Sequence, residues 1–205
     1  MGSQGSIAAF SLTKRHYRII LKQGIDNLPT EVGGFLGGED GIIKAVHPLF
    51  NAHLYNKTDT FSFTAEDVDR AHRFFKKHQL DYYGLYHSHP KGVVYPSEAD
   101  INTGHKYHFI LGLSDPDRPV FNAFYMDGRQ PIQVPLRIVD LKGVKPVDIY
   151  DRAKKGKLRM SSVLSPEEEA AVLGQNIASM KDEQHVDYPV LPPRDKFNSD
   201  FSTLA

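Results

Sequence analysis

Tyr86-His87-Ser88-His89-Pro90, followed by Ser97-Glu98-Ala99-Asp100, is the stretch on which the reading of this chain turns. Side chains alternate between the two faces of a β-strand, so two histidines separated by one residue project to the same side and can reach one ion. The apolar run Tyr82-Tyr83-Gly84-Leu85-Tyr86 ahead of them has the character of a buried strand that delivers both imidazoles to a cleft. Pro90 has no N–H to donate and ends the ladder. Ser97 to Asp100 then reads as a first helical turn with Ser97 near the cap, and a carboxylate at Asp100 closes the third side of a metal site.

Composition limits what such a site can belong to. A chain of 205 residues buries roughly 70% of its unfolded surface, which suits one domain with an extension. Its 25 basic and 25 acidic residues cancel, so no global field draws it to nucleic acid or to a membrane surface, and neither is expected as a partner. Cysteine is absent, which removes disulfides and thiol nucleophiles and leaves His, Asp and Glu to hold any metal. No apolar run approaches the length of a membrane span and no secretory signal is evident, so a cytoplasmic location is the expectation. Residues 1–6, rich in Gly and Ser, have the look of a cloning remnant and are set apart from the fold.

Around the central stretch the pattern alternates strands and helices. Ile7 to Leu12 reads as a short strand. Thr13 caps a helix to about Gly24, with Tyr17, Ile20 and Leu21 facing inward and Lys14, Arg15, Arg18 and Lys22 facing solvent. Glu31 heads an apolar strand punctuated by Gly33, Gly34, Gly37 and Gly38, and glycine inside a strand marks close approach of another backbone. Glu39-Asp40-Gly41 is a hairpin signal, and Ile42 to Phe50 is its second strand. Phe61 to Phe63 alternates as a strand, and Thr64 with Asp67 forms a capping box for a helix whose inner face is Val68, Ala71, Phe74 and Phe75. Tyr107 to Leu113, Pro119 to Met126 and Pro131 to Val139 read as three further strands. The expected fold is α/β, a single mixed sheet flanked by helices, over residues 7–140.

Residues 141–205 form a C-terminal extension. Its first part is polar and basic, and Ser165-Pro166-Glu167-Glu168 opens a helix over about 165–184. Ala170, Ala171, Leu173, Ile177 and Met180 make a stripe that can dock on the parent domain, pair with a second copy or hold a partner. Tyr188-Pro189-Val190-Leu191-Pro192-Pro193 favours an extended tail.

Glu31, His87, His89, Ser97 and Asp100 together fill every role of a hydrolytic zinc centre. Two imidazoles and a carboxylate leave a fourth tetrahedral position for water, whose pKa falls from roughly 15.7 to about 7 on the metal. A glutamate beside it takes the proton, and a serine hydroxyl donates to the oxyanion.

The spacing His-x-His-x7-Ser-x2-Asp, with an upstream Glu at the head of a Gly-containing strand, resembles the JAMM motif of the MPN+/JAB metalloproteases. The resemblance covers about Ile7 to Val139. It implies a cytidine-deaminase-like (JAB/MPN) sheet and Zn2+ as cofactor. It also implies cleavage of peptide or isopeptide bonds after the C-terminal Gly-Gly of a ubiquitin-like or sulfur-carrier protein. Carried over by position, His87, His89 and Asp100 are the metal ligands, Glu31 the base, Ser97 the oxyanion donor, and Ser88 a supporting hydrogen-bonding residue. The linker Lys91 to Pro96 is similar to that of compact prokaryotic members and lacks the cysteine found there in the deubiquitinating subunit of the proteasome lid. Two other readings stand beside this one: a non-catalytic MPN scaffold module, and a zinc amidohydrolase acting on a small substrate. His16, His47, His53, His72, His78, His105, His108 and His185 show no comparable spacing, and surface positions or positions beside the ligands are expected for them.

Overall fold

In the computed structural model, which describes residues 7–142 and 162–182, the chain enters through β1 (Phe10–Thr13). Thr13 caps α1 (Lys14–Asp26) by accepting the backbone N–H of His16 at 3.2 Å. β2 (Gly33–Glu39) and β3 (Ile42–Leu49) follow as a hairpin. Its two turn residues, Asp40 and Gly41, have φ of 50° and 77°, the left-handed pair that a tight two-residue hairpin requires. α2 (Ala65–Lys77) opens on the complete Thr64–Asp67 capping box and buries Ala71, Phe74 and Phe75. β4 (Asp81–His89), the single turn α3 (Glu98–Ile101), β5 (Tyr107–Gly112), β6 (Val120–Asp127), β7 (Gln130–Val134) and β8 (Leu136–Val139) complete the main body. β9 (Ser162–Val163) and α4 (Pro166–Asp182) come from the extension.

The strands form one mixed sheet in the order β7-β6-β5-β4-β2-β3-β1-β8. β7 and β8 are joined through Pro135 yet lie at opposite ends of that order, so the sheet curls until it is nearly a barrel. The carbonyl of Pro135 accepts the Phe10 N–H at 2.8 Å at this seam. One face carries Leu36, Tyr86 and Phe109 against Ile20 of α1. The other carries Phe35, Leu85 and Val163 against Phe74 and Phe75 of α2.

A bulge decides which side chains share the second face. β2 pairs Leu36 with Gly84 and Gly37 with Tyr82, which leaves Tyr83 as the extra residue of β4. Tyr83 therefore packs with Tyr86 in the α1 core, while Tyr82, Leu85 and His87 turn to the α2 side. Without the bulge, Tyr83 would share the histidine face. Gly84 is required beside it, because a Cβ there would lie 1.9 Å from the Tyr107 carbonyl oxygen.

Several sequence expectations are corrected. Phe61 to Phe63 is not a strand. Both phenylalanines pack on the α2 core from an extended loop. The run Pro131 to Val139 divides at Pro135 into two strands with different partners, β7 on β6 and β8 on β1. His16 is fully buried, not superficial, and burial pushes its pKa down to about 3.

The extension meets the sheet through a face other than the predicted stripe. β9 pairs with Ala45 and Val46 of β3, on the edge that β1 occupies at Ile42 and Ile43. In α4, Val172 is buried with Ile42 and Leu164, whereas Leu173 and Ile177 are exposed. The reason is electrostatic. Arg15, expected in solvent, makes a two-pronged pair with Glu168 at 2.8 Å on each arm, and Lys44 bonds Glu169 at 2.5 Å. Asn176 accepts from the Ser11 hydroxyl at 2.9 Å. These anchors rotate the Leu173 side outward. The predicted capping pair is present, with Ser165 and Glu168 bonded both ways. No helix among the described residues is long and apolar enough to cross a membrane. Residues 1–6, 143–161 and 183–205, with the Tyr188 to Pro193 segment, lie outside the described residues.

Candidate metal centre

β4 ends at the site. His87 and His89 occupy alternate positions of the strand and share a face, with their Nε2 atoms 2.9 Å apart. The His89 ring is oriented from behind, because its Nδ1 lies 2.9 Å from the carbonyl of Val93. A carbonyl only accepts, so Nδ1 carries the hydrogen and Nε2 offers its lone pair.

The third corner comes from α3. Ser97 is its N-cap, and the capping box with Asp100 is complete. Asp100 Oδ2 accepts both the N–H and the hydroxyl of Ser97 at 2.7 Å. Oδ1 is left facing His87 Nε2 at 3.2 Å, and Oδ2 lies 3.8 Å from His89 Nε2. A local helix-start signal thus doubles as the device that aims the carboxylate.

These three groups fit a zinc ion. Their ligand atoms lie within 4.8 Å of one another. A tetrahedral Zn2+ with bonds of about 2.0–2.1 Å sets ligand–ligand edges of about 3.3–3.4 Å, and the Nε2–Nε2 separation of 2.9 Å and the His87 Nε2 to Asp100 Oδ1 separation of 3.2 Å lie close to that value. Two imidazoles and one carboxylate, with no thiolate, make a borderline donor set that zinc accepts readily and that leaves one position open. The centre is a zinc site.

The charges agree with that use. Burial opposes ionisation of His87, but the adjacent Asp100 outweighs it and the pKa is raised. Burial also opposes ionisation of Asp100, yet His87 and the Ser97 donors hold its carboxyl well below the usual range. His89 moves down, through burial and the neighbouring His87.

Glu31 stands just outside the three ligands. Its neighbour Val32 is clamped to β4 by two bonds to Ser88. The Val32 N–H donates to the Ser88 hydroxyl at 3.0 Å, and the Ser88 N–H to the Val32 carbonyl at 2.8 Å. Ser88 thereby extends the β2–β4 pairing toward Glu31. From the other side, the Glu31 N–H donates to the Lys57 carbonyl at 2.6 Å, and Asn51 donates to the Glu31 carbonyl at 3.0 Å. Gly33, opposite His87 in the register, admits the Tyr86 carbonyl and the Phe61 ring to positions only 2.5 and 2.6 Å from where a Cβ would lie. Glu31 is 7% exposed, and burial, reinforced by Asp100 and Asp59 against His87, raises its pKa to about 7.

The five residues singled out by spacing are therefore brought to one end of β4, although Glu31 precedes His87 by 56 positions. Two further groups belong to the neighbourhood and were not singled out. Val93 supplies the carbonyl behind His89. His108 packs edge-on to His87 with ring centroids 6.1 Å apart. Only the β4–β5 register reveals His108, because nothing in its local sequence marks it.

The chain is similar to several known proteins. A Lys-63-specific deubiquitinase, BRCC36, of Camponotus floridanus is 27% identical over 175 residues, covering 75% of this chain and 67% of that protein. The solution structure of DSY2949 from Desulfitobacterium hafniense is similar with a TM-score of 0.58 at 24% identity, over 64% of this chain and 94% of that one. The JAB1/MPN domain protein AF2198 from Archaeoglobus fulgidus aligns with a TM-score of 0.41 at 17% identity, over 63% of this chain and 98% of that one. The family model for prokaryotic homologues of the JAB domain matches residues 13–125, from the cap of α1 into β6. With that match spanning more than half its length and enclosing Glu31, both histidines, Ser97 and Asp100, the chain belongs to the prokaryotic JAB family.

Proposed function

We propose that this protein is a zinc-dependent metalloprotease that hydrolyses the peptide or isopeptide bond after the C-terminal Gly-Gly of a ubiquitin-like or sulfur-carrier protein. The observation that carries the reading is Glu31, a buried carboxyl with its pKa raised to about 7, held beside three converging ligand atoms without being one of them. A group with that pKa both accepts and returns a proton near neutrality.

Zn2+ held by His87, His89 and Asp100 supplies Lewis acidity toward a carbonyl and toward water. Glu31 takes a proton from the attacking water as its oxygen bonds to the carbonyl carbon, and returns it to the departing amine nitrogen as the C–N bond breaks. The products are a carboxylic acid and an amine, the remaining water proton passing from the new acid to the amine to leave a carboxylate and an ammonium, and Glu31 ends as it began. The Ser97 hydroxyl turns from Asp100 Oδ2 toward the developing oxyanion, while the Ser97 N–H keeps the carboxylate in place. Ser88 acts at a distance, holding Val32 and with it the approach of Glu31.

Support for a protein substrate comes from two sources. The relative from Camponotus floridanus is named a deubiquitinase. In addition, the segments that hold the site expose Phe50, Leu54, Tyr55 and Val93, apolar side chains suited to a folded carrier more than to a small amide. The test is a panel of Gly-Gly-terminated carriers, each joined to a reporter by a linear or an isopeptide bond. Zinc-dependent release from at least one carrier, with no release from short Gly-Gly amides, is the expected result. Equal turnover of short amides would favour a small-substrate amidohydrolase.

A further inference from the structure

His108 lies on β5 opposite Leu85, two residues short of His87 on β4, and the parallel register puts these side chains on one face of the sheet. The two imidazoles are neighbours, with planes at 90°. His108 is wholly buried and His87 is 2% exposed. Each has an enclosed Nδ1 with no hydrogen-bond partner among the described residues.

The tautomers make these two atoms complementary. The Thr103 hydroxyl gives its single proton to the Asp100 carbonyl at 2.7 Å. Toward His108 Nε2, at 3.0 Å, it can only accept, so the hydrogen of His108 is on Nε2 and Nδ1 is a bare lone pair. His87 must turn the lone pair of Nε2 to the ion, which leaves its hydrogen on Nδ1. One enclosed donor and one enclosed acceptor therefore sit on adjacent rings. Buried polar atoms are costly when unpaired, and a metal-bound imidazole ordinarily gives its second N–H to a group that fixes the ring.

We infer that His108 is a positioning residue for the zinc ligand His87, its Nδ1 accepting the His87 Nδ1–H in the zinc-bound protein. The contacts then run from the Asp100 carbonyl through the Thr103 hydroxyl and His108 to His87, joining two ligands by a path that bypasses the ion. Thr103 sets the tautomer, and His108 reads it out on the ligand. The inference rests on the zinc site and not on the choice of substrate, so its test needs no turnover.

Zinc affinity is measured by competition with a chromophoric chelator for the full chain and for His108→Phe and Thr103→Val. The His87 Nδ1–H resonance is followed by nitrogen-15 NMR of the zinc-loaded proteins. His108→Phe keeps a planar ring but removes the acceptor, and zinc binding is expected to weaken 10- to 100-fold, with the hydrogen-bonded His87 signal lost. Thr103→Val, which leaves His108 in place with its tautomer unconstrained, is expected to weaken binding about tenfold and to shift the same signal. A folded His108→Phe protein that binds zinc within twofold of the parent overturns the inference. If that variant does not fold, Thr103→Val decides. An unmoved His87 signal there means that Thr103 serves only the loop at Asp100, and the inference fails.

Discussion

Asp100 splits its carboxylate between Ser97 and His87: Oδ2 receives the Ser97 N–H and hydroxyl at 2.7 Å each, and Oδ1 lies 3.2 Å from His87 Nε2. The cap therefore holds a ligand, so Ser97 acts before any substrate arrives. Ser97→Ala removes one of two donors to Oδ2 and an N-cap, a loss of about 1 kcal/mol in stability. Zinc affinity is expected to fall severalfold, and turnover by about 100-fold if the hydroxyl also serves the oxyanion. Chelator competition and steady-state kinetics on the same sample separate the two effects. Unchanged zinc affinity would refute the positioning role.

The raised pKa of Glu31 carries a stability signature in the zinc-free protein. Its folded value, about 7, lies above the ordinary 4.5 because burial disfavours the charged form. The folded state thus binds this proton more tightly than the unfolded state, and stability falls as pH rises from about 4.5 to 7 before levelling off. Glu31→Gln removes the penalty. At pH 8 the zinc-free variant should be more stable by about 2 kcal/mol, allowing for solvent that reaches the group, with the difference vanishing below pH 4. Urea denaturation at several pH values checks this. A variant less stable at pH 8 would contradict it.

Zinc binding should itself depend on pH through His87. Burial alone would lower its pKa, but Asp100 prevails and the net shift is upward. Protons thus compete for Nε2 from above pH 6.5, and the apparent zinc affinity should already decline as pH falls through neutrality. Chelator competition between pH 8 and pH 6 measures it. An affinity independent of pH over that range would exclude His87 as a ligand.

The outward turn of α4 yields a contrast between its faces. Glu168, 3% exposed and paired with Arg15 on both oxygens, is an anchor, and Glu168→Ala leaves Arg15 without that partner. A loss of about 2–3 kcal/mol is expected. Leu173→Asp and Ile177→Asp, at exposed positions, should change stability by less than about 0.5 kcal/mol. Denaturation midpoints decide, and the reverse ranking would show that the hydrophobic stripe faces the sheet. The same aspartates test pairing of α4 with a second copy, by sedimentation.

How far the sequence leads depends on the range of the interaction. The Thr13 cap, the Thr64–Asp67 box and the Asp40-Gly41 turn are local and were legible, as was the metal triad, because strand alternation and a helix cap place His87, His89 and Asp100 within one short segment. What escaped depends on partners distant in the chain. The Tyr83 bulge follows from pairing with β2, and the division at Pro135 from a seam with Phe10. Of the three uses open to the stripe on α4, docking on the parent sheet is the one the structure does not show, because Arg15 and Lys44 bind the acidic face of the helix instead. His108 became visible only when β5 was laid beside β4.

The central claim is that Glu31 moves the proton while His87, His89 and Asp100 hold the zinc. The most direct test measures zinc content and cleavage of a Gly-Gly-terminated carrier fusion for the parent and Glu31→Gln proteins. The account predicts one zinc per chain in both and a loss of cleavage of about 100- to 10,000-fold in the variant. Cleavage that persists in Glu31→Gln, or in the parent after zinc is stripped by a chelator, would contradict it.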